Sequence, residues 1–426
     1  MKVLLLAPGE AIHSKRFLQM LLDAGHTVTF VDANDPKPQG AERYSFIPYP
    51  GMFGLEKVVE NVVIKGKAII SVAFNGRYTA ASRRVYARIR GDGGGPRTVN
   101  RLGKWLKALQ LRLIWYRVRP DVVHVHWVDV RAEHCAKAKL HPLIVTCWGS
   151  DINNICAPDY RDTDYRNRIG STLSCADHVT ADTVEILTRC EQLSGQKLSS
   201  SLFFFGVDFQ KFNPGYLRQA LSLRSEKGIP ANGKVILSVR ALRPLMGHHF
   251  VLEAFSELSK EAGSRPIYLA FIRYNYFADG YETNLRIKSA EMGLSKRVIW
   301  LEAVSNDEMP VYYTMADVVV NYPERDGFPV TLFEATACKR PVISSRLDAY
   351  KGALDADIFR LVQPKSPSSL ADAMRRCIEE NSDVAQKRME KAFLAIQDIG
   401  DERRCIKTIE RDYQSVLSRR RGKTVS

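Results

Sequence analysis

Two acids, Asp326 and Glu334, bracket a Gly-Phe-Pro turn and an apolar run in the stretch RDGFPVTLFEA, Arg325 to Ala335. Proline suits a first helical position, where its missing N–H costs nothing, so a helix is expected to open near Val330. Around Gly327, Phe328, Pro329, Val330 and Thr331 the backbone N–H groups should then be unbonded and aimed out of the helix N-terminus. Such an end favours phosphate, through its open donors and the positive pole of the helix dipole. Glu334, just over one turn in, offers two carboxylate oxygens to the vicinal hydroxyls of a ribose. Asp326, in the loop, can accept from hydroxyls of a sugar on the far side of the phosphates. For Asp326 alone a turn aspartate is the plainer account; the turn, the open helix end and the second acid together favour a ligand site.

Elements that could hold such a site recur along the chain. In the N-terminal half KVLLLAP, HTVTFVDA, DVVHVHWV, LIVTCWGSD and ADHVTAD read as buried strands or strand ends. Stretches with helical spacing lie between them, such as SKRFLQMLLDAGH. After FFFGVDFQKFNPG, Phe203 to Gly215, the alternation restarts with KVILSVRAL, IYLAFI, RVIWLEAV, ADVVVNYP and RPVISS, and with helices such as HHFVLEAFSELSKEA and SSLADAMRRCIEE. Alternating β and α elements predict parallel sheets covered by helices on both faces. The fold class is therefore α/β, with two doubly wound Rossmann-like domains facing across a cleft. The expected domains are residues 1–208 and 216–399, with 400–420 packing back on the first. The tail from Arg419 to Ser426 reads as a solvated terminus.

A chain of 426 residues, 45% hydrophobic and 26% charged, can bury more than one sizeable core. Its eight cysteines are scattered singly, without the spacing of a zinc site or a disulfide framework, which fits a reduced cytoplasmic setting. No apolar run reaches the length of a membrane span. The formal charge of +15 points to an acidic partner, and most of it lies between Lys57 and Arg119, where the local net is +13. Within that segment Leu102, Trp105, Leu106, Leu109, Leu113 and Tyr116 recur at helical spacing beside Arg101, Lys104, Lys107 and Arg112. Core packing and a basic amphipathic helix on an anionic membrane both account for the stripe. GDGGGP, Gly91 to Pro96, follows a basic stretch and not a strand, so it reads as a flexible loop.

These residues resemble the family-4 glycosyltransferases with the GT-B fold. Asp326-Gly327-Phe328-Pro329 and Glu334-Ala335-Thr336-Ala337 are similar to the family's usual Glu-Gly-Phe-Gly and Glu-Ala-Met-Ala. APGEAIHSKRFLQMLLDAGHTVTFVD, RPDVVHVHW, PLIVTCWGSD, GVDFQKFNP and ILSVRALRPLMGHHFVLEAF extend the likeness over most of the chain. The resemblance implies that the first acid contacts the donor sugar and the glutamate holds the ribose of the nucleotide. It also implies an Arg and a Lys-Gly directed at the donor diphosphate. Arg240 or Arg243 supplies the Arg, whereas Met246 stands at the Lys position; Lys339 replaces a usual Gly, and Trp148 a frequent His.

The implied activity is transfer of a sugar from a nucleoside diphosphate sugar to a hydroxyl of a glycan or lipid-linked acceptor. Retention of anomeric configuration, no cofactor and no bound metal go with it, as does a role in surface polysaccharide or glycoconjugate synthesis. The expected site is Asp326, His126 and Asp151 at the chemistry, and Arg240, Arg243, Gly327, Phe328, Pro329, Val330, Thr331 and Glu334 at the donor. A lone histidine at such a strand end is more often packed than catalytic, and this weighs against His126; Asp151 reads equally as a helix cap. The basic segment 57–119 would attach the protein to the inner face of the cell membrane; no nucleic acid is expected, for want of aromatic-interleaved or helix-turn-helix signatures.

Three other functions compete for the same residues. A dehydrogenase would use Asp32, but APGEAIHS lacks Gly-x-Gly-x-x-Gly. A retaining glycosidase needs carboxylates about 5–5.5 Å apart, against ~12 Å for eight helical residues. A binding module on a degenerate transferase scaffold, taking anionic lipid or a phosphate ligand, remains the alternative.

Overall fold

The computed structural model describes residues 1–32, 44–49, 97–261, 266–273, 280–328, 330–350 and 359–423. They form two compact units, one of Met1–Ala181, Ile186–Leu202 and Ile409–Ser426, the other of Asp182–Glu185 and Phe203–Thr408. The division therefore falls at Phe203, ahead of the expected end of the first domain at residue 208, and residues 400–408 go with the second unit. Backbone pairing is the reason. Val207 donates to the Gly400 carbonyl at 2.6 Å and accepts from the Glu402 amide at 3.2 Å. Gly206 makes this approach possible: it sits at φ +66°, and a Cβ there would lie 2.6 Å from the Gly400 oxygen.

The first unit runs β1 (Lys2–Leu6), α1 (Ile12–Asp23), β2 (Thr27–Asp32), β3 (Tyr44–Pro48), α2 (Arg97–Val118), β4 (Val122–His126), α3 (Val130–Lys137) and β5 (Leu143–Cys147). It continues through α4 (Ser150–Asn153), α5 (Thr163–Ser174), β6 (His178–Ala181), α6 (Val184–Ser194), whose first residues belong to the second unit, and β7 (Ser200–Leu202). The strands pair in parallel in the order β3-β2-β1-β4-β5-β6-β7. The order reverses between β1 and β4, which makes their carboxyl ends the switch point of this sheet.

The second unit contains α7 (Leu217–Glu226), β8 (Lys234–Ser238), α8 (His248–Glu261), β9 (Ile267–Ile272), α9 (Tyr281–Glu291), β10 (Val298–Leu301), α10 (Met309–Met315) and β11 (Val318–Asn321). After them come α11 (Val330–Ala337), β12 (Val342–Ser345), β13 (Arg360–Val362), α12 (Pro367–Glu379) and α13 (Ser382–Gly400). Its parallel order is β10-β9-β8-β11-β12-β13, with the switch between β8 and β11. Alternate residues of one strand enter different cores: Val235 and Leu237 join one apolar cluster and Ile236 the other. Both sheet faces are thus covered, as near-continuous apolar strands require.

Helix α14 (Glu402–Lys423) closes the chain, and its residues from Ile409 belong to the first unit. Tyr413 is its anchor, fully buried and 2.7 Å from His124 Nδ1, whose Nε2 lies 2.6 Å from Thr146 Oγ1. The basic end is solvated as expected, Arg419, Arg420 and Arg421 being exposed, and it is tethered at its start: Arg419 donates to Ser199 Oγ at 2.7 Å, and Arg420 lies 3.8 Å from Asp177.

Helix α2 tests the two accounts of the basic stripe. Its inward face is Lys107, Ala108 and Leu111, and the Lys107 ammonium sits 4.4 Å from the centre of the Tyr49 ring. Burial pushes the Lys107 pKa down to about 8. Lys107 therefore belongs to the interior and not to the basic face. Trp105 and Leu113, 60% and 62% exposed, point outward with Leu109 and Tyr116, so core packing does not explain them. Residues 57–96, which hold the rest of the basic segment and GDGGGP, lie outside the described residues. No helix among the described residues is long and apolar enough to cross a membrane.

Burial holds His124 neutral, its pKa pushed down to about 3 from an ordinary 6.5. Between those values only the unfolded chain takes up the proton, so stability is lost as pH falls through this window. At pH 4.5 the loss amounts to about 2–3 kcal/mol. The melting temperature should fall by several degrees between pH 6.5 and 4.5, and by less in His124→Asn; equal slopes in the two proteins would contradict this assignment.

Candidate active site

The second unit brings together side chains from loops at the carboxyl ends of neighbouring strands. Arg240 follows β8, and Asp326 follows β11, which pairs with β8. The Arg240 Nη2 donates to Asp326 Oδ1 at 2.8 Å, with the two side chains 18% and 11% exposed. Gly327 N also donates to Oδ1, at 3.1 Å, and the Tyr350 hydroxyl donates to Oδ2 at 3.0 Å. Arg240, offered from the sequence to a diphosphate, is thus already engaged with the first acid. Its backbone carbonyl lies 3.2 Å from Nε2 of His248, a fully buried imidazole whose pKa burial pushes down to about 4.

Glu334 lies in the interior side of α11, 5% exposed, and accepts from the Tyr313 hydroxyl of α10 at 2.8 Å. Val330 and Thr331 form the first turn of α11, where amide N–H groups have no partner within the helix. The Thr331 Oγ1 is buried without a hydrogen-bond partner among the described residues. The helix end is less open than expected in one respect. Phe328 N donates to Asp182 Oδ2 at 2.9 Å, and a Cβ on Gly327 would meet that same oxygen at 2.8 Å. The Phe328 side chain packs in the core: it is 9% exposed, stacked on Phe204 at 4.9 Å and edge-on to Phe333 at 4.8 Å. Pro329 lies outside the described residues.

Arg243 immediately precedes the 3-10 turn Pro244–Met246, and Gly247 follows in the left-handed region at φ +69°. A Cβ on Gly247 would stand 2.1 Å from the Tyr322 carbonyl oxygen, so the turn is held against the strand end by a glycine no other residue can replace. Lys339, at the usual Gly position, takes φ +57° past the end of α11 and pairs with Glu390 at 3.0 Å. The helix stop survives the change of residue, with an ion pair in addition.

In the first unit His126 ends β4 at its switch point, yet it does not reach the surface. It is 0% exposed among Phe17, Trp148 and His124, with ring centres 4.3, 5.3 and 5.0 Å away. Neither nitrogen has a hydrogen-bond partner among the described residues, and burial holds its pKa well below the ordinary value. Asp151 is not a helix cap; Gly149 occupies that position of α4. Its carboxylate accepts from Val128 N at 3.0 Å and Trp148 N at 3.1 Å, joining the loops after β4 and β5. Burial outweighs these bonds and pushes its pKa up to about 6. Trp148, at a position where the family often has His, stacks on His13 at 5.3 Å. Asp32 accepts from Gly9 N at 2.9 Å and from Arg131 at 3.1 Å, a structural tie between β1, β2 and α3. Among the described residues no three His, Cys, Asp or Glu side chains come together as a metal site.

Tyr350, Tyr313, Asn321 and Asp182 went unnoticed in the sequence. Asp182, in the ADHVTAD strand end, carried the one usable hint, an acid directly after a buried strand.

Residues 221–393 match the family described as Glycosyl transferases group 1, and residues 94–183 that described as Glycosyl transferase 4-like. The chain belongs to the family-4-like glycosyltransferases of the GT-B fold. Among curated relatives of this chain, the D-inositol 3-phosphate glycosyltransferase of Corynebacterium urealyticum is 30% identical over 179 residues, 41% of this chain and 42% of that protein. That of Acidothermus cellulolyticus is 28% identical over 178 residues, 41% of this chain and 39% of that protein. The match thus spans less than half the length of these relatives. A Rickettsia africae glycosyltransferase superposes with a TM-score of 0.73 at 16% identity, covering 98% of both chains. Anabaena HepE in complex with UDP-glucose gives 0.70 at 15%, covering 97% of this chain and 100% of that one. Similarity over nearly the whole length at such identity establishes the two-domain α/β fold.

Phe328 offers a check on the division between packing and ligand roles. Phe328→Ala should cost about 3–5 kcal/mol of stability in thermal or denaturant unfolding, and Phe328→Leu far less. A variant of wild-type stability that had lost nucleotide binding would return Phe328 to the donor site.

Proposed function

We propose that the protein transfers a sugar from a nucleoside diphosphate sugar to a hydroxyl of a glycan or lipid-linked acceptor, with retention, in surface polysaccharide or glycoconjugate synthesis. The observation that carries this reading is the convergence of Asp326, Arg240, Thr331 and Glu334 around the β8–β11 switch point and the start of α11. In open α/β sheets ligands bind at such switch points. Glu334, held by the Tyr313 hydroxyl on Oε2, is the carboxylate assigned to the ribose hydroxyls. The first turn of α11, with its dipole and the Thr331 hydroxyl, favours the diphosphate, and Arg243 supplies a cation in the loop after β8. No metal or cofactor is required in this scheme, because the departing charge is met by protein donors. Asp326 takes the sugar.

The acceptor is assigned to the first unit, where Asp151 holds the loops that carry Trp127 and Trp148, with His126 beneath them. That curated relatives act on D-inositol 3-phosphate supports a hydroxylated acceptor. A cytoplasmic protein attached to an anionic membrane fits the exposed Trp105, Leu109, Leu113 and Tyr116 with Arg112 and Arg117 on the same helix. The same stripe is what favours the second reading, a lipid-binding module without transferase activity.

A thermal-shift panel of nucleoside diphosphates and nucleotide-sugars separates the two. One base class should stabilise the wild type, by ~2.7 kcal/mol at a hundredfold excess over Kd. Glu334→Ala should weaken binding about 10- to 100-fold, the size of a hydrogen bond to a charged group. Stabilisation by no nucleotide would reject the transferase. For the membrane, Trp105→Ser with Leu113→Ser should reduce sedimentation with phosphatidylglycerol vesicles at least tenfold, given about 1.5–3 kcal/mol per buried side chain. Unchanged sedimentation would remove this helix from the interface.

A further inference from the structure

The donor sugar's acid is held from three sides, and one of the groups holding it has no counterpart in the motifs described above. Tyr350 ends a short 3-10 turn, Asp348–Tyr350, after β12. It is 1% exposed, and its hydroxyl lies 3.0 Å from Asp326 Oδ2 and 3.4 Å from Asn321 Nδ2. Burial, reinforced by the charge of Asp326, raises its pKa well above the ordinary value, so the phenol keeps its proton and must donate to the carboxylate. Tyr350 can then only accept from Asn321, which orients the Asn321 amide with Nδ2 toward the phenol. The Asn321 Oδ1 is left buried without a partner among the described residues, and so is Oγ of Ser344, its register neighbour on β12. Asn321 and Ser344 are each 0% exposed. A directional chain therefore runs from β11 through Tyr350 to Asp326.

A carboxylate has about four acceptor positions. On Asp326, Oδ1 takes Arg240 and the Gly327 amide, and Oδ2 takes Tyr350. Among the described residues one position remains, on Oδ2. We propose that Tyr350 is a positioning residue that sets the aim and the acceptor capacity of Asp326, so that the acid receives a single hydroxyl of the transferred sugar and not a vicinal pair. The inference rests on the donor-site reading above and narrows it. An unclamped carboxylate could turn to take two neighbouring hydroxyls and would tolerate more sugar configurations; the clamped one selects by the place of one hydroxyl. Specificity of this kind arises because a buried polar group left unpaired by the wrong sugar is costly.

The test uses the full-length protein and the nucleotide-sugar that binds wild type most tightly from a panel of UDP-, GDP-, ADP- and dTDP-sugars. Calorimetry gives its Kd and that of the matching nucleoside diphosphate for wild type, Tyr350→Phe, Asp326→Asn and the double variant. The diphosphate Kd should stay within about twofold throughout. The extra affinity conferred by the sugar should fall about five- to tenfold in Tyr350→Phe and vanish in Asp326→Asn, with no further loss in the double variant. A general structural role for Tyr350 would instead lower diphosphate affinity as well, or give losses that add in the double variant. Either result overturns the inference, as does a sugar increment unchanged in Tyr350→Phe. If Tyr350→Phe does not fold, Asn321→Ser interrupts the same chain one step earlier, and the same pattern is expected in weaker form. Binding of no nucleotide by wild type overturns the donor-site reading, and the inference falls with it; normal donor binding with an intact increment in the variant overturns the inference alone.

Discussion

The parallel pairing of β8 with β11 is the constraint on which the candidate site depends. It brings the loops after the two strands side by side although some eighty residues of sequence intervene, and so lets Arg240 meet Asp326. Gly247 keeps the approach possible, since any side chain there would collide with the Tyr322 carbonyl. Asp326 in turn fixes the turn that launches α11, and α11 carries Thr331 and Glu334. The polar site is thus an outcome of strand order, and the strand order follows from apolar runs that must be covered on both faces.

Charge explains why this site is built as a network. An ion pair as sheltered as Arg240 with Asp326 contributes little net stability, because desolvation offsets much of the attraction, while removing one partner typically costs about 3–5 kcal/mol. Such a pair is better understood as a device for holding a carboxylate in one orientation. Tyr350 completes that device with a neutral donor, and His248 supports Arg240 through its backbone. Tyr313 does the same for Glu334. In the first unit the Asp151 carboxylate ties two loops, and burial raises its pKa.

The central strands were legible because they are almost wholly apolar, as in KVLLL and VVVN. The edge strands β3, β7 and β13 were not. YSFIP, SSL and RLV are short and partly exposed, and their pairing is decided by neighbours and not by their own pattern. In the site, Asp326 and Glu334 could be named from type and spacing. Phe328 could not be separated from its neighbours, since one apolar residue in a turn looks the same whether it meets a ligand or Phe204 and Phe333. Arg240 was visible, but its engagement with Asp326 depends on two strand ends whose adjacency no local pattern encodes. Tyr350 was silent for the same reason. The outward face of α2 shared its spacing with an inward one, and only the fold decides which side Trp105 takes.

Two carboxylates are assigned here to the two ends of one nucleotide-sugar. A crystal structure with a bound nucleoside diphosphate sugar is the direct test. The ribose hydroxyls are expected within hydrogen-bond distance of Glu334, the diphosphate at the first turn of α11, and one sugar hydroxyl on Asp326. A ligand whose ribose and sugar contact neither acid would contradict it.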